Sequence, residues 1–344
     1  MTKRGLLIGF TLLAFTGMGL AWYLFKAVYG NNVVLESEST IITIYPGQGY
    51  PDVRQMLTDS GYLKNIFTFQ QVAKLMKYNK ELVPDGKYKI YNGWSNRELI
   101  GMLRSGMQVS IDVTYNNVRT IEELCGQLSR YFVSDSIAIC EAILDSALLA
   151  SQNLNKENVI SIFIPNTYKM YWNTPPSSIV NRLISERDKF WAGNDRKVKA
   201  NSLNMTIEEI YTLASIVEKE SNYIPERPTI AGVYINRLER GIPLQADPTV
   251  VFATGDFSIR RVLNKHLETD SPYNTYKYRG LPPGPIAMPS ISSIDAVLNA
   301  EKHNYIFFCA KPGYDNQHAF AETLRQHNVN ANIYRAWLSS ERIK

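Results

Sequence analysis

The chain has 344 residues, of which 45% are hydrophobic and 20% are charged. This composition excludes collagen, low-complexity proteins and wholesale disorder, and the length suggests roughly two domains. The net charge of +5 is a mild excess without a basic stripe, so nucleic acid is not expected as a partner. Three cysteines are too few for a disulfide scaffold, and at least one of them must be free. Because no His or Cys cluster appears, neither a metal nor a cofactor is expected.

An uncharged apolar run, Gly5–Phe25, follows Lys3 and Arg4 at the N-terminus. At about 1.5 Å per residue, this run is long enough to cross the ~30 Å hydrocarbon layer of a membrane. The positive-inside rule then places residues 1–4 in the cytoplasm and the rest of the chain outside it. The alternative is a cleaved signal peptide, whose apolar core is usually shorter and ends at a small-residue site that this run lacks. The sequence therefore predicts a transmembrane helix at 5–27 and a spacer at 28–40.

A compact β-α-α-β-α module is predicted over residues 41–108. Turn pairs, capping patterns and apolar periodicity mark its elements. These are a strand at 41–45, a helix from Pro51 to Gly61, a helix at 67–76, a strand at 86–91, and a helix that Ser95 and Glu98 cap and Gly106 ends.

A larger domain is predicted over residues 109–344. A strand begins it, because Val109, Ile111, Val113 and Tyr115 alternate with polar residues. Helical patterns follow at about 119–131, 136–151 and 178–191, and no repeat, charge run or flexible linker interrupts the segment. The whole chain is therefore assigned to the α+β class, with the larger domain of mixed α and β type.

Within the segment 206–249, Glu218 and Glu220 have different predicted environments. A helix begins at Thr206, and its apolar face includes Leu213, Ile216 and Val217. Glu220 falls on that face, where burial would raise its pKa and suit it to general acid catalysis. Glu218 points away and is expected to be solvated. The alternative is that Glu220 is a last-turn residue paired with a lysine or arginine, and the pattern alone does not decide between the two.

Polar loops follow this helix and the next one, which runs from about Pro225 to Gly241. The first loop offers Gln245 and Asp247, and a second, at 271–290, combines prolines with Tyr273, Tyr276 and Tyr278. Rigid tyrosine-rich loops suit carbohydrate, because sugar faces stack on rings while hydroxyl groups need amides and carboxylates. The alternative is that the second loop is a proline-stiffened surface loop. His318 is a candidate ligand contact, and the alternative for it is a structural histidine.

Several sequence motifs resemble those of the endolytic murein transglycosylases, the MltG or YceG-like family. The order and spacing of these motifs match as well as their residues. They are ASIVEKES (214–221), VYINRLERGIPLQADPTV (233–250), YNTY (273–276), GLPPGPI (280–286), and Phe307 with His318–Phe320. The small module is similar to the LysM-like domain of that family, and the single N-terminal membrane helix belongs to the same pattern. The resemblance covers nearly the whole chain.

The resemblance implies a catalytic domain of the YceG-like type in which Glu220 is the single general acid and base. It also implies substrate-binding candidates that shape the cleft or hold its loops, namely Ser221, Asn236, Arg237, Gln245, Asp247, Asn274 and Tyr276. In one place the sequence departs from the family, whose usual Pro-Asp-Thr-Tyr reads Pro165-Asn166-Thr167-Tyr168 here. An essential carboxylate at position 166 is therefore not expected.

The function implied is an endolytic lyase that cuts nascent peptidoglycan strands at the outer face of a bacterial inner membrane. Its product would end in 1,6-anhydro-N-acetylmuramic acid, because no second carboxylate is expected to activate water. Glu226 and Asp247 are the acids nearby in the segment, and one of them would be the second carboxylate of a hydrolase. The partners implied are glycan strands, the membrane and peptidoglycan synthases of the penicillin-binding type. Two alternatives stay open: a glycan hydrolase, and a catalytically silent wall-binding protein.

Overall fold

The computed structural model of the protein describes residues 3–313 and 317–341, with only the backbone of residues 3–9. The chain divides into two compact units. The first comprises Met1–Asp112, Tyr131–Val133 and Lys169–Thr174. The second comprises Val113–Arg130, Ser134–Tyr168 and Pro175–Lys344.

The chain begins with a long apolar helix, α1 (Lys3–Tyr29), in which Phe10–Tyr29 is long and apolar enough to cross a membrane. The side chains of residues 10–26 are all exposed. Since a helix of a soluble protein buries its apolar face, this exposure fits a single-pass membrane anchor. The predicted orientation depends on the charges of Lys3 and Arg4, whose side chains lie outside the described part of the chain, as do residues 1–2 of the predicted cytoplasmic segment.

The first unit contains the predicted β-α-α-β-α order. Its elements are β1 (Ser39–Ile44), α2 (Tyr50–Asp59), α3 (Ile66–Leu75), β2 (Gly86–Tyr91) and α4 (Asn96–Ser105). The strands β1 and β2 pair antiparallel, with Ser39 opposite Tyr91 and Ile44 opposite Gly86. The capping box of Ser95 and Glu98 starts α4, and Gly106 ends it with a φ of 68°, a left-handed conformation that glycine adopts without strain. These elements confirm the predicted order.

Part of the predicted spacer packs onto this unit instead of leading freely into it. The Asn32 side chain donates hydrogen bonds to the Asn65 carbonyl oxygen (3.0 Å) and to the Asn96 side chain (2.7 Å). Val33 beside it is only 1% exposed. The sequence shows a short polar stretch with two adjacent valines, and only the tertiary contacts reveal that these residues belong to the core of the unit.

The second unit holds most of the helices. Its elements, some shared at their ends with the first unit, are β3 (Ser110–Tyr115), α5 (Ile121–Leu128), α6 (Ser136–Ile143), α7 (Ser146–Ser151), β4 (Asn166–Tyr171), α8 (Pro176–Ala192), α9 (Arg196–Ser202), α10 (Ile207–Glu220), α11 (Arg227–Glu239), α12 (Asp247–Thr254), α13 (Asn264–Leu267), α14 (Ile291–Leu298), β5 (Phe307–Ala310), β6 (His318–Ala321) and α15 (Leu324–Ser340). Short 3-10 helices lie at Val159–Ile162 and Ile224–Glu226. The strands form two-stranded sheets, β3 with β4 and β5 with β6.

Helix α10 lies at the centre of the second unit and packs against α11, α12 and α14. Every residue from Ile210 to Val217 is buried. The expectation of one apolar face and one solvated face is therefore wrong. The polar positions of the helix are buried as well, and Ser215 accepts a hydrogen bond from the Ile286 backbone amide at 3.0 Å.

One disulfide joins two neighbouring helices of the second unit. Cys125 in α5 and Cys140 in α6 are bonded, with their Cα atoms 5.6 Å apart, whereas Cys309 in β5 is a half-buried free thiol. Disulfides persist in oxidising compartments, so the bond fits a location outside the cytoplasm.

Candidate active site

Glu220 is the last residue of α10, and its half-buried side chain reaches two cavities. The helix starts at a capping box, in which Thr206 accepts from the Glu209 amide at 3.1 Å and Glu209 accepts from the Thr206 amide at 2.8 Å. The backbone of Ser221 is extended, with a φ of −138°, and so ends the helix directly after Glu220. The buried body of α10 thus presents Glu220 at its C-terminal end.

A buried tyrosine holds the Glu220 carboxyl group. The Tyr234 hydroxyl, which comes from α11 and belongs to a side chain only 1% exposed, donates to Glu220 Oε1 at 2.6 Å. The hydrogen-bond partner of Glu220 is therefore a neutral phenol and not the lysine or arginine that the alternative interpretation required.

The surroundings raise the pKa of Glu220 to about 7. Burial is the main cause, since it disfavours the charged form, and the negative charge of Asp247 adds to it. The Tyr234 hydrogen bond and the positive charge of Arg237 act in the opposite direction. A carboxyl group with such a pKa can both give and take a proton near neutral pH, which is the requirement for general acid and base catalysis.

One of the two cavities, here called the aromatic cavity, has a volume of about 410 Å³. Glu220 and Asp247 stand on its wall. The other lining side chains are mostly aromatic or polar: Tyr234, Arg237, Leu244, Gln245, Tyr276, Phe307, Phe308, Leu324 and His327. Rings and hydroxyl-binding groups together suit the apolar faces and hydroxyl groups of a sugar.

The other, here called the cationic cavity, has a volume of about 390 Å³ and shares Glu220 and Asp247 with the first. Its rim carries four basic side chains: Arg119, Lys219, Arg260 and Arg261. The two cavities therefore meet at the same pair of carboxyl groups. A larger cavity of about 1020 Å³ lies near the start of α10, where Thr206 and Glu209 line it, and Glu220 does not line it.

Asp247, the first residue of α12, is held by the tyrosine of the proline-rich loop. The Tyr276 hydroxyl donates to Asp247 Oδ1 at 2.6 Å. Arg237 is only 8% exposed, and its guanidinium donates to the backbone oxygens of Ile306 (2.6 Å) and Leu244 (2.7 Å). Arg237 thereby ties the loop after α11 to the strand β5, while one side of it faces the aromatic cavity.

Three of the predicted substrate-binding residues lie away from both cavities. Ser221 is buried, and its backbone oxygen accepts from Arg227 at 3.1 Å. Asn236 donates to the backbone oxygens of His303 (2.8 Å) and Tyr305 (2.9 Å). Asn274 is fully buried and holds its own loop through hydrogen bonds to the backbone oxygens of residues 267 and 269. The structure gives these residues positioning contacts within the protein.

The expectation that Glu218 is solvated is wrong. Its carboxylate accepts hydrogen bonds from the Ser290 backbone amide (2.7 Å) and from the Ser293 hydroxyl (2.7 Å), and the side chain is only 18% exposed. Burial alone would raise the pKa of Glu218, but these hydrogen bonds and the charge of Arg227 outweigh it and lower the pKa. Helical spacing placed Glu218 correctly away from Glu220. It could not show that the start of α14 covers that side of the helix.

The absence of a second carboxylate that activates water stays a prediction. Asp247, one of the acids near Glu220 in the sequence, lines both cavities beside it. Glu226, the other acid of this segment, is engaged elsewhere, because it accepts from the His318 backbone amide (2.9 Å) and contacts His318 Nδ1 (3.1 Å). This contact makes His318 a structural partner of Glu226. Asn166 is exposed, and its side chain accepts from the Thr167 backbone amide.

The tyrosines of the 271–290 loop have three different environments. Tyr276 lines the aromatic cavity. Tyr273 packs against Phe252, with ring centroids 4.6 Å apart, and Tyr278 is exposed and donates to Asp270 at 2.8 Å. Only one of the three therefore faces Glu220.

The sequence pattern of the YceG-like family matches residues 42–333, most of the chain. The chain belongs to the YceG-like family. Over 167 residues it is 40% identical to a Bacillus subtilis protein named endolytic murein transglycosylase. This match covers 48% of this chain and 44% of that protein. A Streptococcus pneumoniae protein of the same name is 27% identical over 300 residues, 78% of this chain and 54% of that protein. The chain thus spans about half the length of the curated relatives it matches.

A crystal structure of a putative yceG-like protein from Listeria monocytogenes has the same fold. It is 26% identical to this chain, with a TM-score of 0.57, and the match covers 85% of this chain and 98% of that one.

Several residues around Glu220 in this YceG-like protein were not predicted as site residues from the sequence. Tyr234 lies on the helix predicted from about Pro225 to Gly241, and its position 14 residues after Glu220 is compatible with contact between two packed helices. Phe308 and His327 come from β5 and α15, far along the chain, and no local pattern connects them to Glu220. Within residues 3–313 and 317–341, no group of His, Cys, Asp and Glu side chains is arranged as a metal site.

Proposed function

We propose that this chain is an endolytic peptidoglycan lyase in which Glu220 is the general acid and base. The observation that carries the proposal is a carboxyl group with a pKa of about 7 at the junction of two cavities. The two named relatives are called endolytic murein transglycosylases, which supports the same substrate and reaction class.

In the first step, protonated Glu220 gives its proton to the glycosidic oxygen between N-acetylmuramic acid and N-acetylglucosamine. Because Tyr234 occupies Oε1, the proton is carried on Oε2. The bond from the anomeric carbon to that oxygen breaks, and the N-acetylglucosamine side leaves as an alcohol. Glu220 is now a carboxylate that the same hydrogen bond stabilises.

In the second step, the Glu220 carboxylate takes the proton of the muramyl C6 hydroxyl. The C6 oxygen bonds to the anomeric carbon of its own ring and closes the 1,6-anhydro bridge. Glu220 is protonated again, and no water is consumed. An attack within one sugar gains from proximity, since a two-body step becomes a one-body step.

In the competing hydrolytic mechanism, Asp247 would be the second carboxyl group. Glycosidases that hydrolyse their substrate use two carboxyl groups, and Asp247 lies beside Glu220 on both cavity walls. In the lyase, Asp247 instead keeps the pKa of Glu220 high through its charge. The two mechanisms differ in their products, so the reducing ends of the fragments distinguish them.

The decisive experiment digests purified peptidoglycan with the full chain and identifies the new strand ends by mass spectrometry. We expect anhydro-muramyl ends, which are lighter by one water and resist borohydride reduction. Mainly reducible muramic acid ends would establish a hydrolase and make Asp247→Asn the next variant to test. Co-sedimentation with the wall without any release, both in the wild type and in Glu220→Gln, would instead support a wall-binding protein. Glu239→Gln, an exposed glutamate outside both cavities, is the matched control.

We propose that the catalytic unit lies outside the cytoplasm and that α1 lies in the inner membrane. The exposed apolar surface of α1 and the disulfide in the second unit both support this location. At that position the enzyme would meet glycan strands as they leave the synthases, and penicillin-binding proteins are the proposed partners. Recovery of a soluble protein that begins near residue 27 would show a cleaved signal peptide instead.

The β-α-α-β-α part of the first unit is proposed to be a LysM-like glycan-binding module. Its two antiparallel strands, separated in sequence by the two helices α2 and α3, support this assignment. We propose residues 41–108 as this module and 109–344 as the catalytic domain. Within the catalytic domain, Arg237, Gln245, Asp247 and Tyr276 are proposed to contact substrate, because each lines the aromatic cavity. Ser221, Asn236 and Asn274 are proposed to position the loops.

A further inference from the structure

The cationic cavity carries positive charge that the glycan backbone does not explain. Its basic side chains are Arg119, Lys219, Arg260 and Arg261. Within the described parts of the chain, none of them has a carboxylate at ion-pair distance. In a strand that bears its stems the N-acetylated sugars are uncharged, because the lactyl carboxyl group of each muramic acid is bound in an amide. A cavity beside the reacting bond therefore presents several cations to a sugar chain that offers them no partner.

Two of the cations are held in place by neutral partners. The Arg119 guanidinium lies over the Phe257 ring, 4.5 Å from its centroid, so its hydrogen-bond donors remain available at its edges. Lys219 Nζ donates to the Asn117 side chain at 3.1 Å. Burial is the main cause that lowers the pKa of Lys219; the charge of Glu218 opposes it, and the charge of Arg119 adds to it. These two side chains are oriented before any ligand arrives.

The other two cations lie on the segment between α12 and α13. Arg260 and Arg261 are exposed, and they stand on the rim of the same cavity. Apolar side chains, here called the floor, also line the cavity, among them Val251, Phe252 and Ile286. Basic and apolar lining side chains together suit a ligand that combines carboxylates with small aliphatic groups.

We propose that the cationic cavity binds the peptide stem of the muramyl residue beside the cleaved bond, through the carboxylates of that stem. This proposal rests on the proposed function and deepens it. Peptide stems carry both free carboxylates and alanine methyl groups, which match the rim and the floor. The aromatic cavity then holds the sugars on the other side of Glu220, and the enzyme selects strands that still bear their stems.

The kinetic test compares two lipid-free strand substrates that both bear their stems, one with free stem carboxylates and one in which these carboxylates are converted to amides. Removal of the stems by an amidase is not a suitable comparison, because it leaves a free lactyl carboxylate on each muramic acid. Because neither contains the lipid pyrophosphate, any charge effect is assigned to the carboxylates. The double variant Arg260→Gln/Arg261→Gln removes two rim charges that make no ion pair within residues 3–313 and 317–341. The matched control, Arg240→Gln/Arg279→Gln, removes two exposed charges outside the cavity.

On strands with free stem carboxylates we expect the rim variant to raise KM by roughly fivefold to tenfold at low salt, with kcat little changed, since exposed ion pairs contribute modestly. On amidated strands the two variants should match the wild type within about twofold. An equal rise in KM on both substrates would overturn the proposal, because the recognised group would then not be a stem carboxylate. No rise on either substrate would overturn it as well.

A binding test separates this proposal from the proposed reaction. Glu220→Gln full-length chain in detergent is titrated with a soluble stem-bearing muropeptide and with the same muropeptide after its stem carboxylates are converted to amides. We expect the free carboxylates to tighten binding by at least about fivefold, and the two rim substitutions added to Glu220→Gln to abolish that difference. This result stands even if the wild type cuts nothing, whereas equal binding of both ligands refutes the cavity assignment even if the enzyme is active.

Discussion

The hydrogen bond from Tyr234 to Glu220 should set the pH range of the enzyme. Tyr234→Phe removes the 2.6 Å contact and keeps the ring. A hydrogen bond to a charged group contributes about 1.5–3 kcal/mol, and one pKa unit corresponds to about 1.4 kcal/mol. Since the bond lowers the pKa of Glu220, which is about 7 in the wild type, its loss should raise that pKa by about one to two units.

The assay is the pH profile of kcat/KM for release of anhydro-muropeptides. A general acid must be protonated in the free enzyme, so activity falls as the pH rises above its pKa. We expect the alkaline limb to move from near pH 7 in the wild type to about pH 8–9 in Tyr234→Phe. Tyr211→Phe is the control, because the hydroxyl of this buried tyrosine donates to the Phe163 backbone oxygen instead. A limb that stays in place, or moves to lower pH, would refute the assignment of Glu220 as the acid.

Three further predictions concern Glu220, Glu218 and the disulfide. Glu220→Gln should lower activity by about 10²–10⁴-fold. The same substitution should stabilise the fold by about 3 kcal/mol above pH 7, because the wild-type Glu220 is charged and buried there. Denaturation at pH 8 should show this gain in the free energy of unfolding. The gain should vanish below pH 4.5, the ordinary pKa of a glutamate. Glu218→Gln should destabilise the fold by about 2 kcal/mol in denaturant titrations at pH 7, since it loses charged hydrogen bonds to α14, and unchanged stability would contradict the hydrogen bonding described above. Cys125→Ser/Cys140→Ser opens a bond that spans 15 residues and should cost about 3 kcal/mol of stability without changing the cleavage product.

The local rules of the sequence predicted the elements of the first unit closely. Glycine, proline and capping residues act over a few neighbours, so Ser95, Glu98 and Gly106 mark the ends of α4 in the sequence as they do in the structure. The apolar run of α1 is equally local, because its length and lack of charge are visible without any partner. Helical spacing also separated the directions of Glu218 and Glu220 correctly.

The environments of those side chains depended on partners far along the chain. Glu218 is buried because Ser290 and Ser293 cover it, more than 70 residues later in the sequence. The pKa of Glu220 depends on burial by several elements, on Tyr234 and on Asp247. Periodicity reports which residues share a face of one helix and carries no information about what packs against that face. The sequence by itself therefore determined the elements and the candidate acid, whereas only the tertiary structure decided the protonation of that acid and the two cavities that meet at it.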